Sequence, residues 1–579
     1  MPDFLTGLRT RTLAMVVAAV VALVYLPSVR YGFVGLDDPD YVLENPHVLS
    51  GLSWDNAVWA VKDFETGGNW HPLAWVSLQA DACVAALPGE PVPEARLARV
   101  MHAHNVAVHV VNATLLFILI ALVSGNRFAA LFFALAWAIH PLRLEAVCWV
   151  TERKEVLCVM FMLMTLILHC GARPSAVSLR SAVRTSRPTG GWGGRPFWRF
   201  LSVISFSLAT VSKPLAVTLP CVLLAWEWVV RRKTFLRSLL VTLPYFALSA
   251  ALVPVTLAAF AQPLEVGRMF TPVQRLAMTL SAPVVYLRQT FWPSGLASFY
   301  PSDAPFRPVE TALGAVLVVA IVWVSVRWLR RRERWAGACA VGVAWCYVGL
   351  LPMLGIVKVG DQAHSDRYTY WVGCGVAALA AWAVARVAET SAFRRWWSEA
   401  RGGHLAYAGV AVLAVLVLLT SRRMPVWSCR MAHYADSVYK YWNESAVRAY
   451  ARELRKTGKG GGAEAERVLR HALVVHDVVE LRTELAHLIV CERGLTPFWK
   501  GGNDPAFAEA RSDARLAIQA NPREGRAWEV LGIADLREGE WASAKENLQR
   551  AAELMREENA PREHQESVRR LLAICDGHL

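Results

Sequence analysis

Asp37, Asp38, Asp40 and Glu44 crowd into the stretch YGFVGLDDPDYVLENPHV (31–48), directly after an apolar run. Carboxylates in such a place can deprotonate a hydroxyl. Cations recur further along the chain. Arg143, Arg153 and Lys154 lie in HPLRLEAVCWVTERKEVL (140–157), Lys213 in SKPLAVTLP (212–220) and Arg288 in YLRQTFWPSGLASFYP (286–301). Lys358 precedes GDQAHSDRYTYW (360–371), which holds Asp361, His364, Asp366, Arg367 and Tyr368. Grouped Lys and Arg can stabilise a departing phosphate. Acids and cations on one face of a membrane therefore point to transfer from a lipid-linked phosphate donor. A sugar on a polyprenyl phosphate is such a donor. No Gly-rich phosphate loop or dinucleotide fingerprint occurs, which agrees with a nucleotide-free donor.

Each candidate also has a plainer reading. His102, His104 and His109 read as helix-packing or interfacial residues, and Asp40 and Glu44 as a solvated loop. His71 and His140 each precede a proline and serve equally well as turn caps. Glu152 and Lys154 read as surface charges. Asp37 and Asp38 differ, because Tyr31, Phe33 and Tyr41 surround them with aromatic and apolar neighbours just above a helix end. Such a setting favours function.

These residues need a scaffold, and composition names its class. Over 579 residues, 55% are apolar and the mean hydropathy is positive, as expected of an integral membrane protein. The net charge of +14 comes from four groups, each flanking an apolar run: Arg173 to Arg199, Arg231 to Arg237, Arg327 to Arg334, and Arg386 to Arg401. That is the positive-inside pattern of membrane proteins, and a nucleic-acid face is excluded on this ground. The eleven cysteines show no metal-site spacing; Cys429 and Cys491 could pair, without further support. A bilayer core of roughly 30 Å takes about 20 apolar residues per helix. Eleven spans follow: 12–29 (a retained anchor), 105–123, 128–141, 155–171, 198–212, 214–230, 236–260, 309–329, 335–352, 369–388 and 405–421. With the N-terminus inside, every arginine group is cytoplasmic and the acid-rich segment 30–104 is external. Residues 275–299 would break this parity as a span, so a re-entrant or surface-lying element is expected there.

Beyond Ser421 the sequence becomes charged and Ala-rich. Ala510, Ala514 and Ala517 recur as Ala544, Leu548 and Ala551, 34 residues later, with Trp528, Leu531 and Gly532 between and Pro522 closing the first unit. That period is the mark of tetratricopeptide repeats, whose concave face takes a polypeptide. The expected organisation is all-α: a membrane domain over 1–421, a linker over 422–442 and a repeat domain over 443–579.

In this order, GLDDPDYVLENPHV, NWHPLAWVSLQAD, HPLRLEAVCWVTERKEVL, SKPLAVTLP, YLRQTFWPSGLASFYP and SDRYTYW, followed by the repeats, resemble the transmembrane and tetratricopeptide repeat-containing proteins. Those are C-type-fold glycosyltransferases related to the protein O-mannosyltransferases. The resemblance implies a polyprenyl-phosphate sugar donor, inverting O-linked transfer of a mannose-like sugar, a protein acceptor, and repeats on the side of the active site. It matches Asp37 and Asp38 as the acid pair, Glu145 as a second acid with His140 and Arg153 beside it, Lys213, and the motif of Asp366, Arg367 and Tyr368. Adding Arg288 and His71 from the residues themselves, the candidates are catalytic acids Asp37, Asp38 and Glu145, donor-phosphate ligands Lys213, Arg288, Arg367 and Arg153, and substrate contacts His71, His140, Asp366 and Tyr368. After RYTY this chain has Trp371, Val372 and Gly373 where relatives commonly carry a proline. No cofactor is required, although Asp37, Asp38 and His71 could hold Mg²⁺ or Mn²⁺. Two rivals from other classes remain: a lipid-linked sugar transporter or flippase, and a membrane-anchored assembly scaffold. A transporter more often shows paired repeats and midplane charges, and a scaffold needs no acids and cations across four loops. Arg, Ala and Val usage points to a bacterium, hence to an inner-membrane protein whose site faces the periplasm.

Overall fold

The computed structural model describes residues 9–577 apart from 65, 69, 88–91, 171–194, 260–270, 301–306, 332–333, 352–363, 397–401, 442, 459, 495–504 and 558–561. Of the residues named above, Arg173, Lys358, Asp361 and Arg401 lie outside the described set. Every element among the described residues is helical. The chain divides into two units, Met1–His433 and Tyr434–Leu579.

The first unit holds six helices long and apolar enough to cross a membrane: Thr10–Arg30, Glu94–Ser124, Phe235–Thr256, Pro308–Arg331, Asp366–Ala388 and His404–Trp427. The protein is thus an integral membrane protein. The remaining expected spans fall on shorter or interrupted helices. Arg127–Ala138 and Pro141–Cys148 form a pair bent by 59°, and together they would make a seventh span. Arg153–His169 and Arg195–Thr210 are 17 and 16 residues long, and Pro214–Val230 and Gly337–Val348 are short apolar segments. Sequence 275–299 is mostly one helix, Pro272–Phe291, opened by a capping box between Thr271 and Gln274. It meets the 308–331 helix so closely that a Cβ on Gly314 would overlap the Leu280 carbonyl.

Packing follows side-chain spacing. Leu13, Val17, Val21 and Tyr25 recur every fourth residue, forming one buried stripe on the first helix. The 94–124 helix ends at Gly125, whose φ of +70° suits a residue without Cβ. The segment that matters most for the site is broken on purpose by its own residues. His140 accepts a hydrogen bond from the Leu142 amide through Nδ1, 3.2 Å away, and Pro141 opens a short turn. Helix 144–148 then stops at Trp149, whose backbone is extended, and a turn over 150–152 leads into helix 153–169. Each break re-aims the following side chains, so Glu145, Trp149, Glu152 and Lys154 need not share one helical face.

The second unit is a series of consecutive helices, Glu444–Arg455, Gly461–Val475, Val479–Gly494, Pro505–Ala520, Gly525–Glu538, Trp541–Glu557 and Arg562–Asp576. Ala510, Ala514, Ala517, Ala544, Leu548 and Ala551 are all fully buried. At Gly532 a Cβ would come within 2.6 Å of Leu548 Cγ. Small residues here let neighbouring helices approach closely. Charge also organises this unit: Glu484, buried, accepts from Arg452 at 2.6 Å and from Arg526 at 2.8 Å.

Candidate active site

The acid pair sits on the turn following the first span, and its two members face different surroundings. Asp38 is fully buried. Its carboxylate accepts from the Val34 amide at 2.7 Å and from the Trp149 indole nitrogen at 3.1 Å. Burial pushes this carboxyl up to about 6, against the pull of those two donors. Asp37 keeps 43% of its side chain exposed and lies 3.4 Å from Lys154 Nζ. One acid is therefore locked and the other open.

Lys154 starts a chain of ion pairs that runs inward. Its ammonium stands over the Tyr41 ring, 4.6 Å from the centroid, and 3.7 Å from a Glu152 oxygen. Glu152 in turn meets Lys213 Nζ at 3.1 Å and Arg367 Nε at 3.4 Å. Burial alone would raise the Glu152 carboxyl, but Lys213, Lys154 and Arg367 outweigh it and hold the group at about 2. Lys213 also meets Glu155, 2.7 Å away. Arg367 closes the chain on Glu145 through Nη1, and its backbone amide donates to the other Glu145 oxygen at 2.8 Å. Ser365 Oγ donates to Glu145 at 2.6 Å. Thus Asp37, Asp38, Glu145, Lys213 and Arg367, drawn from four stretches of sequence, share one connected cluster.

Glu152 and Lys154, expected as surface charges, are a correction: both are buried. The extended Trp149 and the turn after it direct them into the bundle, where opposite charges offset their desolvation. Glu155 completes the cluster and was not among the candidates. The signal was present in TERKEV, where Glu152 and Glu155 are three apart at the head of an apolar helix and hence on one face.

The other candidates are placed as follows. Arg153, proposed for the donor phosphate, points the opposite way and is wholly buried. It donates to Asp81 at 2.8 Å, to the Met101 carbonyl at 2.8 Å, to Ser77 at 2.7 Å and to Asn105. His140 caps its turn and contacts the Thr290 carbonyl at 3.0 Å. His71 is buried with its ring stacked on Tyr41, centroids 5.3 Å apart. Asp366 is buried and accepts from Tyr300 Oη at 2.9 Å. Tyr368 lies under Arg367, at 5.2 Å. Arg288 is exposed and joins no carboxylate of the cluster among the described residues; its charge, with that of Arg307, faces His364, which burial and those cations push down to about 3. His102, His104 and His109 contact the Gly32 carbonyl, Asp81 and Tyr370 respectively, which are packing roles. Asp40 and Glu44 are exposed.

Arg143 supports the site from behind. Its guanidinium donates to the Thr369 carbonyl at 2.6 Å and to Thr369 Oγ1 at 2.7 Å, fixing the start of the helix that carries Arg367. Among the described residues no group of three His, Cys, Asp or Glu side chains is placed to hold a metal ion.

No protein-family model matches this sequence, and no curated protein does. Among solved structures, two of the Archaeoglobus fulgidus oligosaccharyltransferase align with it. One is tethered through a disulfide bond to an acceptor peptide containing the NVT sequon, with TM-score 0.37 and 12% identity over 78% of this chain and 58% of the other. The second is the apo form, with TM-score 0.33 and 13% identity over 79% and 59%. The chain thus spans less than two thirds of the length of either, and similarity at this level assigns no activity.

Proposed function

We propose that the protein is a membrane glycosyltransferase of the C-type fold, with a tetratricopeptide-repeat domain at its C-terminal end. It moves a sugar from a polyprenyl-phosphate donor to a hydroxyl of a protein acceptor on the external, periplasmic face of a bacterial inner membrane. The observation that carries this reading is the pairing of an open acid with a buried mixed-charge cluster: Asp37 stands at the edge, 3.4 Å from Lys154, and Lys213 and Arg367 lie behind it.

In this mechanism Asp37 takes the proton of the acceptor hydroxyl. The freed oxygen pair attacks the anomeric carbon, and the bond from that carbon to the phosphate oxygen breaks with its electrons leaving on polyprenyl phosphate. A single displacement inverts the anomeric configuration. Lys154, Lys213 and Arg367 stabilise the charge that grows on the phosphate. Arg367 engages Glu145 through Nη1 and Glu152 through Nε. A planar fork so held can still present an edge to a phosphate oxygen. Glu145 orients Arg367, and Asp38 anchors the turn that carries Asp37. Tyr368 lines the approach, while His71, buried against Tyr41, and Arg153 are structural. The second unit selects the polypeptide acceptor.

The test is transfer itself. Purified protein incubated with labelled polyprenyl-phosphate sugars and an unstructured Ser/Thr-containing polypeptide should put label on the polypeptide with inverted anomeric configuration. Retained configuration, or label released only to water, would remove the proposed displacement.

A further inference from the structure

Besides the direct Asp37–Lys154 contact, the Trp149 side chain touches both halves of the cluster. Its indole nitrogen donates to Asp38 at 3.1 Å. Its ring carries Arg367 at 5.3 Å and Lys154 at 6.0 Å from the centroid, within cation–π range. Its ring also stacks on Trp427, 6.3 Å away with planes 23° apart. Its backbone is fixed as well: the carbonyl accepts from Asn105 Nδ2 at 3.2 Å and from the Glu152 amide at 3.2 Å. It is almost fully buried and sits in sequence between Glu145 and Glu152, the two acids that grip Arg367.

From this geometry we infer that Trp149 is a positioning residue that couples the acid pair to the phosphate-stabilising cations of the proposed transfer reaction. The inference rests on the glycosyltransferase reading for its kinetic consequences, but not for the contacts themselves. Through Nε1 the indole holds the Asp38 carboxylate, and so the turn that aims Asp37. Through its ring it sets the height of Lys154 and Arg367 relative to that turn. The two functions separate chemically: phenylalanine keeps a ring face and loses the donor, whereas leucine loses both. The groups facing Asp38 are Asp37 on its own turn, the Val34 and Gly35 amides, and Trp149 from the facing segment. Removing the indole donor takes away a bond that favours the carboxylate, so the Asp38 carboxyl moves further up.

The experiment uses full-length protein in detergent or nanodiscs, with Trp149→Phe, Trp149→Leu, Asp38→Asn and the Trp149→Phe/Asp38→Asn pair. Two readouts are taken. In the transfer assay, Trp149→Phe should lower kcat by about tenfold, roughly the worth of one hydrogen bond to a charged group, and move the acid limb of the pH profile to higher pH. Its donor KM should stay near wild type, whereas Trp149→Leu should also raise donor KM. In thermal unfolding, the Tm gap between wild type and Trp149→Phe should narrow as pH falls from 8 to 5, as Asp38 becomes protonated in both. That pH-dependent part should vanish in the Asp38→Asn background. A pH-independent gap, or additive kinetic effects of the two substitutions, overturns the coupling. Absence of transfer by the wild type with a narrowing Tm gap would instead sink the enzymatic reading and leave the Trp149–Asp38 link standing.

Discussion

Glu152 and Lys213 are 61 residues apart in sequence and 3.1 Å apart in space. Glu152 is buried and the Lys213 side chain mostly so, in a membrane domain where a lone charge costs several kcal/mol. Each offsets part of the other's desolvation, alongside Glu155 for Lys213 and Lys154 and Arg367 for Glu152, so the pairing favours the two segments folding together. The 150–154 turn and the start of the 214–230 segment are thus tied by the same charges that the proposed chemistry uses.

Substituting Glu152 by Gln leaves Lys213 and Lys154 short of a carboxylate. The expected loss is about 3 kcal/mol at neutral pH, the usual result of breaking one side of a buried pair, measured by thermal unfolding in detergent. Because the folded-state carboxyl is held at about 2, this contribution is fully present above the unfolded value near 4.5 and is lost as pH falls toward 2. A wild-type-like Tm for the variant at pH 7 would mean the cluster is not what holds these segments.

Transfer should fall as pH drops through about 6, where the Asp38 carboxyl takes up its proton. The sign for stability is opposite. A folded-state value raised above the ordinary 3.8 means that the native state binds a proton that the unfolded chain does not. Asp38 therefore favours folding more as pH falls from 6 toward 4. Rate profiles with labelled donor check the first statement; a flat profile from pH 5 to 8 contradicts it.

Arg153 gives a contrast with its neighbour Lys154. Its donors are committed to Asp81, Ser77, Asn105 and the Met101 carbonyl. Arg153→Met should cost about 3–5 kcal/mol by leaving buried Asp81 without its guanidinium and with only His104 beside it, while the protein that remains folded keeps its donor KM. A selective rise in donor KM without loss of stability would return Arg153 to the phosphate site.

Gly314 faces the Leu280 carbonyl with no room for a methyl group. A backbone carbonyl cannot swing aside as a side chain does, so Gly314→Ala must part the 272–291 and 308–331 helices. The expected cost is about 2 kcal/mol, read as a lower Tm. The first of these helices leads into the stretch holding Tyr300, whose hydroxyl donates to Asp366, so activity should fall as well. An unchanged Tm would show that the crossing is looser than drawn.

Much of this architecture was legible because bilayer chemistry writes long signals. The described residues of the eleven expected spans fall on helical segments, and six of the spans match helices of sufficient length and apolarity. The acid pair, Glu145, Lys213 and Arg367 were legible from residue type in a polar loop beside an apolar run. Side-chain direction was not. Arg153 and Lys154 are adjacent, and about 100° of rotation per residue sends one to Asp81 and the other to Asp37. Hydropathy cannot see that difference. Trp149 was hidden for a related reason: an aromatic near a helix end reads as an interfacial anchor until its indole nitrogen is found on Asp38.

The most direct measurement is sugar transfer by Asp37→Asn beside wild type, with donor binding followed in the same preparation. Loss of transfer by a factor of about 10² or more, with donor affinity within about threefold, is expected if the open carboxylate removes the acceptor proton while the cations behind it hold the phosphate. An Asp37→Asn protein that transfers at the wild-type rate would contradict that chemistry outright.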